Sequence, residues 1–309
     1  MANFSITEAA LTGFRVVRER PVAVLGWAAL QFVLMAASFL VLISVAGPAM
    51  TQMQTHGLPT DQNGLVALMS QVERGEPPML GLSLVCGALL SAAMNRAVMA
   101  PQDRSFAFLK LGRDELAQLG LRMLLLLLWI AANLLLVALA QGLAAIGGMF
   151  GAGGQAVAGL GGLAASVAAV ICVVYVSLRL SLASAATFAR HRIDLRTSWE
   201  MTRGHVAEIF GAFCLALVLA GLVLALGMTI VVLVTSAVVG IIDPANTMRP
   251  DLSSIAGLLK PAPLIMLGLM SALFGLMSPL LLTPGAFIYQ RLTGSMRQGE
   301  PASKGDLYA

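Results

Sequence analysis

The sequence predicts an all-α, polytopic integral membrane protein with six transmembrane helices. The 309 residues are 58% hydrophobic and 11% charged, whereas a soluble domain carries about 25% charged residues. The apolar residues fall in six long runs, and a bilayer core requires about 20 of them per helix. The runs are continuous and lack the alternation of a transmembrane β-barrel, so helices are expected.

A short helix is predicted before the first span. Ser5–Glu8 has the pattern of a capping box, which marks the start of a helix. Ile6, Phe14 and Val17 then fall on one face of that helix, which is typical of an amphipathic helix at a membrane surface. Pro21 is expected to end it.

Polar or basic segments separate the spans, and we treat residues 1–292 as a single membrane domain. The fifth apolar stretch is longer than one span requires, so it is either one long helix or two short ones. Small residues recur every fourth position from Gly154 in the fourth span, which predicts a central, closely packed helix. The expected spans are residues 22–46, 79–100, 123–146, 155–178, 207–242 and 263–287, followed by a polar cytoplasmic tail at residues 293–309.

The basic residues predict the orientation in the membrane. Sixteen of the 19 Lys and Arg residues fall in segments on one side of the spans, and only Arg74, Arg249 and Lys260 fall on the other. The positive-inside rule then places both termini in the cytoplasm. Two spans in the fifth stretch would put the basic tail outside, so one span is favoured. We expect a bacterial inner-membrane protein, and no nucleic-acid partner.

A threefold repeat is suggested by three aromatic residues at a fixed distance from three glycines. In each case the aromatic residue lies in a cytoplasmic linker, and the glycine lies twelve positions later, near the entrance of an odd-numbered span. We therefore expect three pseudo-repeated helical hairpins with cytoplasmic amphipathic linker helices. Interfacial anchoring of the aromatic residues is the alternative explanation. The pairs are Phe14 with Gly26, Phe108 with Gly120, and Trp199 with Gly211.

No catalytic residues, cofactor or metal site are predicted. His56, His191 and His205 match no metal-ligand spacing. The three cysteines lie within apolar runs and form no CxxC pair, which is typical of small buried hydrophobic residues. No Asp or Glu lies deep in an apolar run, which argues against a transporter that depends on a buried carboxylate. We therefore expect a protein that is not an enzyme.

Five polar or aromatic residues are the candidates for ligand contacts. Asn133 lies within the third span, and we expect an interhelical hydrogen bond there or, alternatively, a substrate contact. Arg96 and Arg179 are expected at cytoplasmic helix ends, as snorkelling anchors or as a phosphate clamp. Trp199 and Arg203 belong to a cationic linker that could contact anionic headgroups or a protein partner.

Ser181-Leu182-Ala183, followed by the element Ser198–Gly204 at the entrance of a span, resembles a known family. It is similar to the membrane domain attached to some bacterial glycerophosphodiester phosphodiesterases and to related stand-alone inner-membrane proteins. The resemblance covers about 30 residues. It implies a membrane domain without documented chemistry, and no catalytic residue can be carried over.

The sequence therefore favours a non-enzymatic scaffold or lipid-associated accessory protein of the inner membrane. Its expected partners are membrane lipids with anionic headgroups, and either another membrane protein or a second copy of the chain. The alternative is a small-solute or lipid transporter, which would require a polar cavity near Asn133.

Overall fold

The computed structural model describes residues 4–57, 62–103, 105–149, 151–242 and 254–299. Within those ranges the chain is helical and contains no strand. The helices are α1 (Ile6–Glu19), α2 (Pro21–His56), α3 (Gln62–Glu73), α4 (Glu76–Met99), α5 (Arg113–Met149), α6 (Gly151–Arg179), α7 (Ala183–Arg190), α8 (Leu195–Met201), α9 (Val206–Ile242), α10 (Ile255–Leu258) and α11 (Pro261–Gly299).

Six of these helices (α2, α4, α5, α6, α9 and α11) are long and apolar enough to cross a membrane, which confirms the predicted multi-pass helical class. The fifth apolar stretch forms one continuous helix, α9, of 37 residues. At 1.5 Å per residue it is about 55 Å long. It is therefore longer than a hydrocarbon core of about 30 Å. The long polar segment after the first span contains the end of α2 and all of α3.

The apolar face of α1 packs against protein, where the sequence led us to expect membrane. Ala9, Ala10 and Val16 are buried, and α1 lies across α9 and α11. Gly13 allows this close approach, because a Cβ built on it would lie 2.5 Å from Cα of Leu280 in α11. The small residues of this face thus let two helix backbones meet.

The linker between α4 and α5 is not the predicted amphipathic α-helix. It contains one 3-10 turn, Phe106–Phe108, in which Ala107 and Phe108 adopt positive φ angles of 51° and 57°. Left-handed backbone is unfavourable for residues other than glycine, and an α-helix cannot continue through it. The turn is held from outside, since Nε1 of Trp27 in α2 donates a 2.8 Å hydrogen bond to the Ala107 carbonyl.

The expectation that the fourth span is central is wrong. Its most apolar window has no buried residue, and the same holds for α5. Helix α6 packs mainly on α5, and Gly159, Gly161 and Gly162 of α6 have no neighbour among the described residues within 4 Å of a Cβ built on them. Small residues permit close helix approach, but they do not require it where lipid tails can cover the same face.

Each of the three glycines that suggested the repeat packs against a segment that belongs to a different predicted hairpin. A Cβ built on Gly120 would lie 3.0 Å from Ile193, and one on Gly211 would lie 3.3 Å from Ile6. A Cβ built on Gly26 would come closer still to the Cβ of Ala107. The pairs are Gly26 with Ala107, Gly120 with Ile193, and Gly211 with Ile6.

Candidate functional site

A buried ion-pair network lies where α4 ends and α5 begins. Arg96 of α4 has a side chain only 5% exposed, and its Nη2 lies 2.7 Å from Oε1 of Glu115. Asp103 and Asp114 approach the same guanidinium at 3.6 and 3.5 Å. The Phe108 carbonyl accepts a hydrogen bond from Nη1. Arg96 therefore joins α4, the linker and the start of α5.

Asp103 is also held by the linker itself. Lys110 donates a 2.6 Å hydrogen bond to Oδ2 of Asp103, and the Ser105 amide donates to Oδ1. The Lys110 hydrogen bond, followed by that of Ser105, lowers the pKa of Asp103 to about 2. Asp103 therefore remains ionised at neutral pH and fixes the linker beside Arg96.

A second polar layer lies further along the same two helices. Gln118 of α5 donates a 2.7 Å hydrogen bond to the Ser184 carbonyl and accepts one of 2.9 Å from the Ser184 hydroxyl. Asn95 of α4 donates to both oxygens of Ser184. Gln118 and Asn95 are buried, so α4, α5 and α7 are joined by a set of hydrogen bonds shielded from solvent.

Arg122 of α5 forms a third layer, directly before the apolar run that begins at Met123. Its Nη2 donates a 2.5 Å hydrogen bond to the Ser91 hydroxyl of α4. The guanidinium lies against Gly87, where a Cβ would come within 2.5 Å of Nη1. Glu115, Gln118 and Arg122 are spaced i, i+3 and i+7 and therefore share one face of α5. We call these three layers the α4–α5 polar stripe.

The Arg122 cavity, with a volume of about 390 Å³, lies at the end of this stripe. Its walls are leucines of α4, α5 and α11, together with Phe213 of α9 and Gly285 of α11. Its polar lining consists of Ser91, Gln118, Arg122, Ser181 and Ser184. The cavity therefore combines apolar walls with one cationic group.

Arg122 differs from Arg96 in having no acidic partner. No carboxylate of the described residues lies within 4.0 Å of its guanidinium, and none lines the cavity. Its Nε is buried and makes no hydrogen bond to the described part of the chain. Arginine stays protonated in proteins, and a charge that is partly removed from water is costly unless it is paired.

The five residues singled out from the sequence are dispersed in the structure. Asn133 donates its hydrogen bond to the Trp129 carbonyl of its own helix, so the interhelical bond is not formed, and it does not line the Arg122 cavity. Arg96 is enclosed by protein carboxylates, which argues against snorkelling and against a direct headgroup contact. Arg203 is exposed in the turn after α8.

Arg179 is buried, contrary to the expected snorkelling position, and joins the end of α6 to α8. Its Nε and Nη2 donate to the Tyr175 hydroxyl at 3.0 and 2.9 Å, and Nη1 donates to the Trp199 carbonyl at 3.2 Å. The guanidinium carbon lies 5.3 and 5.1 Å from the two ring centroids. Trp199 is 38% exposed. Arg179 thus holds two helices together, and the headgroup contact predicted for Trp199 and Arg203 stays a prediction.

Sequence reasoning missed Arg122, Ser91, Asn95 and Gln118 as site residues. In the sequence, Arg122 stands out only as one of the sixteen basic residues that indicate the orientation. A usable signal existed, since polar residues recur at helical spacing in α5 and every fourth residue in α4. It was not decisive, because the same spacing also describes a helix that faces water.

Comparisons of this chain with family models, curated proteins and solved structures gave no match. The resemblance to the phosphodiesterase-associated membrane domains therefore stays a prediction. Among the described residues, no group of three or more His, Cys, Asp or Glu side chains is arranged to hold a metal ion.

Proposed function

We propose that this chain is a non-enzymatic, lipid-associated protein of the bacterial inner membrane that binds a ligand with an anionic oxygen group at Arg122. The observation that carries the proposal is the Arg122 guanidinium, which lies in a cavity between helices and has no carboxylate partner among the described residues. A single uncompensated positive charge in apolar surroundings is stabilised by an anion that enters the cavity.

The donors around the cavity suit a phosphate or a carboxylate. Arginine presents several N–H groups in a planar fork, and such groups form charge-assisted hydrogen bonds with oxyanions. Ser91 already accepts from Nη2, so its own hydroxyl proton is available to the same ligand. The stripe below Arg122 fixes α4 against α5, which holds these donors in place.

The proposed orientation has both termini in the cytoplasm, and its support is the clustering of helix ends. Hydrogen bonds join the start of α2 to the end of α4, through Arg20 and Pro101, and the end of α11 to the end of α4, through Gln290 and Val98. Most of the basic residues lie at this end. The positive-inside rule assigns such an end to the cytoplasm.

The proposed threefold repeat is supported by the cyclic glycine contacts. The first hairpin's glycine meets the second linker, the second hairpin's glycine meets the third linker, and the third hairpin's glycine meets α1. Three related units arranged around one axis would produce this order. The Arg122 cavity, which is lined by residues of α4, α5, α7, α9 and α11, would then lie near that axis.

The proposal is tested by binding of dihexanoyl-phosphatidylglycerol, a water-soluble lipid with an anionic phosphodiester, to the purified chain in a nonionic detergent. Arg122→Gln is expected to weaken binding at least about tenfold, as loss of a charge-assisted hydrogen bond predicts. Arg122→Lys should retain part of the affinity, because it keeps the charge. Arg196→Gln is the control, since Arg196 is exposed and pairs with Glu200.

The proposal would be refuted if the wild type and Arg122→Gln bound the lipid with equal affinity while size-exclusion chromatography showed that both proteins were folded. Loss of affinity in Arg196→Gln to the same extent would also refute it, because binding would then follow the total surface charge.

A further inference from the structure

An apolar groove adjoins the Arg122 cavity along the exposed hairpin of α5 and α6. It has a volume of about 470 Å³. Its α5 side contains Leu128, Trp129 and Ala132, and its α6 side contains Cys172, Val173 and Val176. We call it the α5–α6 groove.

The cavity and the groove share part of their lining. Leu125, Leu180 and Ser181 line both of them. The groove follows α5 over the eight residues from Leu125 to Ala132, a rise of about 10 Å along the helix. It therefore begins next to Arg122 and runs away from the ion-pair network, between two helices whose outer faces are exposed.

We infer that the ligand of Arg122 is a monoanionic phospholipid, with its phosphodiester at the guanidinium and one acyl chain in the α5–α6 groove. This inference rests on the proposed function. The charge is complementary, because a phosphodiester has one negative charge and Arg122 is the one uncompensated cation among the residues lining the cavity. The apolar groove begins where the chain of such a lipid would leave the headgroup.

The lining also selects between headgroups. A zwitterionic phosphatidylethanolamine would bring an ammonium group, which binds best next to a carboxylate. None of the residues that line the cavity or the groove in the described structure carries a carboxylate. Phosphatidylglycerol, whose headgroup beyond the phosphate is uncharged, is therefore the preferred occupant.

An acyl chain suits the groove better than a peptide does. A peptide segment in an apolar environment must satisfy its own backbone N–H and C=O groups. The groove lining offers such a segment only the Trp129 indole N–H and the Ser177 and Ser181 hydroxyls, which are too few to pair every backbone group, whereas an acyl chain requires none. The exposed outer faces of α5 and α6 indicate that the chain enters sideways from the bilayer.

The test compares groove-filling variants with neighbouring controls. Ala132→Trp and Val176→Trp place bulk inside the groove, whereas Ala131→Trp and Val174→Trp place the same bulk on exposed positions outside its lining. Affinity is measured for dioleoyl-phosphatidylglycerol, dioleoyl-phosphatidylethanolamine and dihexanoyl-phosphatidylglycerol, by retention in native mass spectrometry.

The groove variants are expected to bind dioleoyl-phosphatidylglycerol at least about tenfold more weakly. A loss of this size corresponds to the burial of a few methylene groups of the acyl chain. Their binding of dihexanoyl-phosphatidylglycerol should change little, and both controls should behave as the wild type. The wild type should prefer phosphatidylglycerol to phosphatidylethanolamine.

Three results would overturn the inference: unchanged long-chain affinity in both groove variants, equal weakening in the controls, or no headgroup preference. Each differs from failure of the proposed function, in which Arg122→Gln would bind dihexanoyl-phosphatidylglycerol as the wild type does. Inorganic phosphate is a further probe. If phosphate displaced dihexanoyl-phosphatidylglycerol at a concentration equal to that of the lipid, the site would recognise a free anion and the inference of a phospholipid ligand would be wrong.

Discussion

A Cβ atom built on Gly87 of α4 would lie 2.5 Å from Nη1 of Arg122 on α5. The absence of a side chain at Gly87 therefore gives the guanidinium its place against the α4 backbone. The Ser91 hydroxyl, one turn along α4, fixes the other end of the same group. Helix α4 thus determines where the charge of Arg122 is held.

Gly87→Ala is expected to displace the Arg122 guanidinium and to weaken binding of dihexanoyl-phosphatidylglycerol severalfold. The cause is steric, because the methyl group would occupy the space of Nη1. Gly81→Ala on the same helix is the control, since a Cβ there meets nothing within 4 Å. Wild-type affinity in Gly87→Ala would show that the position of the guanidinium against α4 is unimportant for binding.

Arg96→Met is expected to lower the free energy of unfolding by about 3–5 kcal/mol, because Glu115 and its neighbours would be left buried without their cation. Denaturant unfolding in detergent measures the loss. Arg196→Met is the matched control, because the Arg196–Glu200 pair lies at the surface and exposed pairs contribute little. Similar losses in both variants would contradict the structural role given to the Arg96 network.

Gly13→Ala is expected to destabilise the protein by about 1–3 kcal/mol, as overpacking at a rigid contact does. The added methyl group would meet the Leu280 backbone, which cannot move as a side chain can. Gly268→Ala in α11, where a Cβ meets nothing within 4 Å, should be neutral or slightly stabilising. A stable Gly13→Ala variant would show that α1 is not packed against α11 as described.

Asp194→Ala is expected to cost about 1 kcal/mol at pH 7, because Asp194 caps α8 by accepting from the Thr197 amide at 2.9 Å. Burial opposes ionisation of Asp194, but the Thr197 hydrogen bonds and Arg190 outweigh it, and its pKa is lowered. The stabilisation is therefore present above the unfolded pKa of about 3.9. It is lost as the pH falls through the lower folded value.

The measurement for Asp194 is unfolding of the wild type and the variant between pH 7 and pH 3. The difference between them should shrink toward acid pH. A difference that is constant or grows would mean that the carboxylate charge does not contribute to the cap.

An alkaline phosphatase fused after Gln298 is expected to be inactive, because the proposed orientation leaves this end in the cytoplasm. A fusion after Gly57, beyond the end of α2, should be active. Green fluorescent protein at the same two positions should give the opposite pattern. Active phosphatase after Gln298 would refute the six-span orientation with both termini inside.

The six helices long and apolar enough to span a membrane were predictable from the sequence, and the site was not. The apolar runs that form α2 and α9 are visible in the sequence, because the hydropathy of a segment depends only on residues that are neighbours along the chain. The burial of Arg96 depends on Asp103, Asp114 and Glu115 converging from the linker and from α5. A charge at a helix end looks the same in the sequence whether it reaches water or enters such a network.

Local composition by itself determined that this chain is helical and has six membrane-spanning candidates, because a bilayer core selects for apolar length alone. Only the tertiary structure decided that α6 lies at the edge of the bundle and that Arg122, unlike Arg96, has no acidic partner among the described residues. The physical reason is that desolvation and ion pairing depend on groups far apart in the chain. Those groups meet only after α4, α5 and α7 have packed.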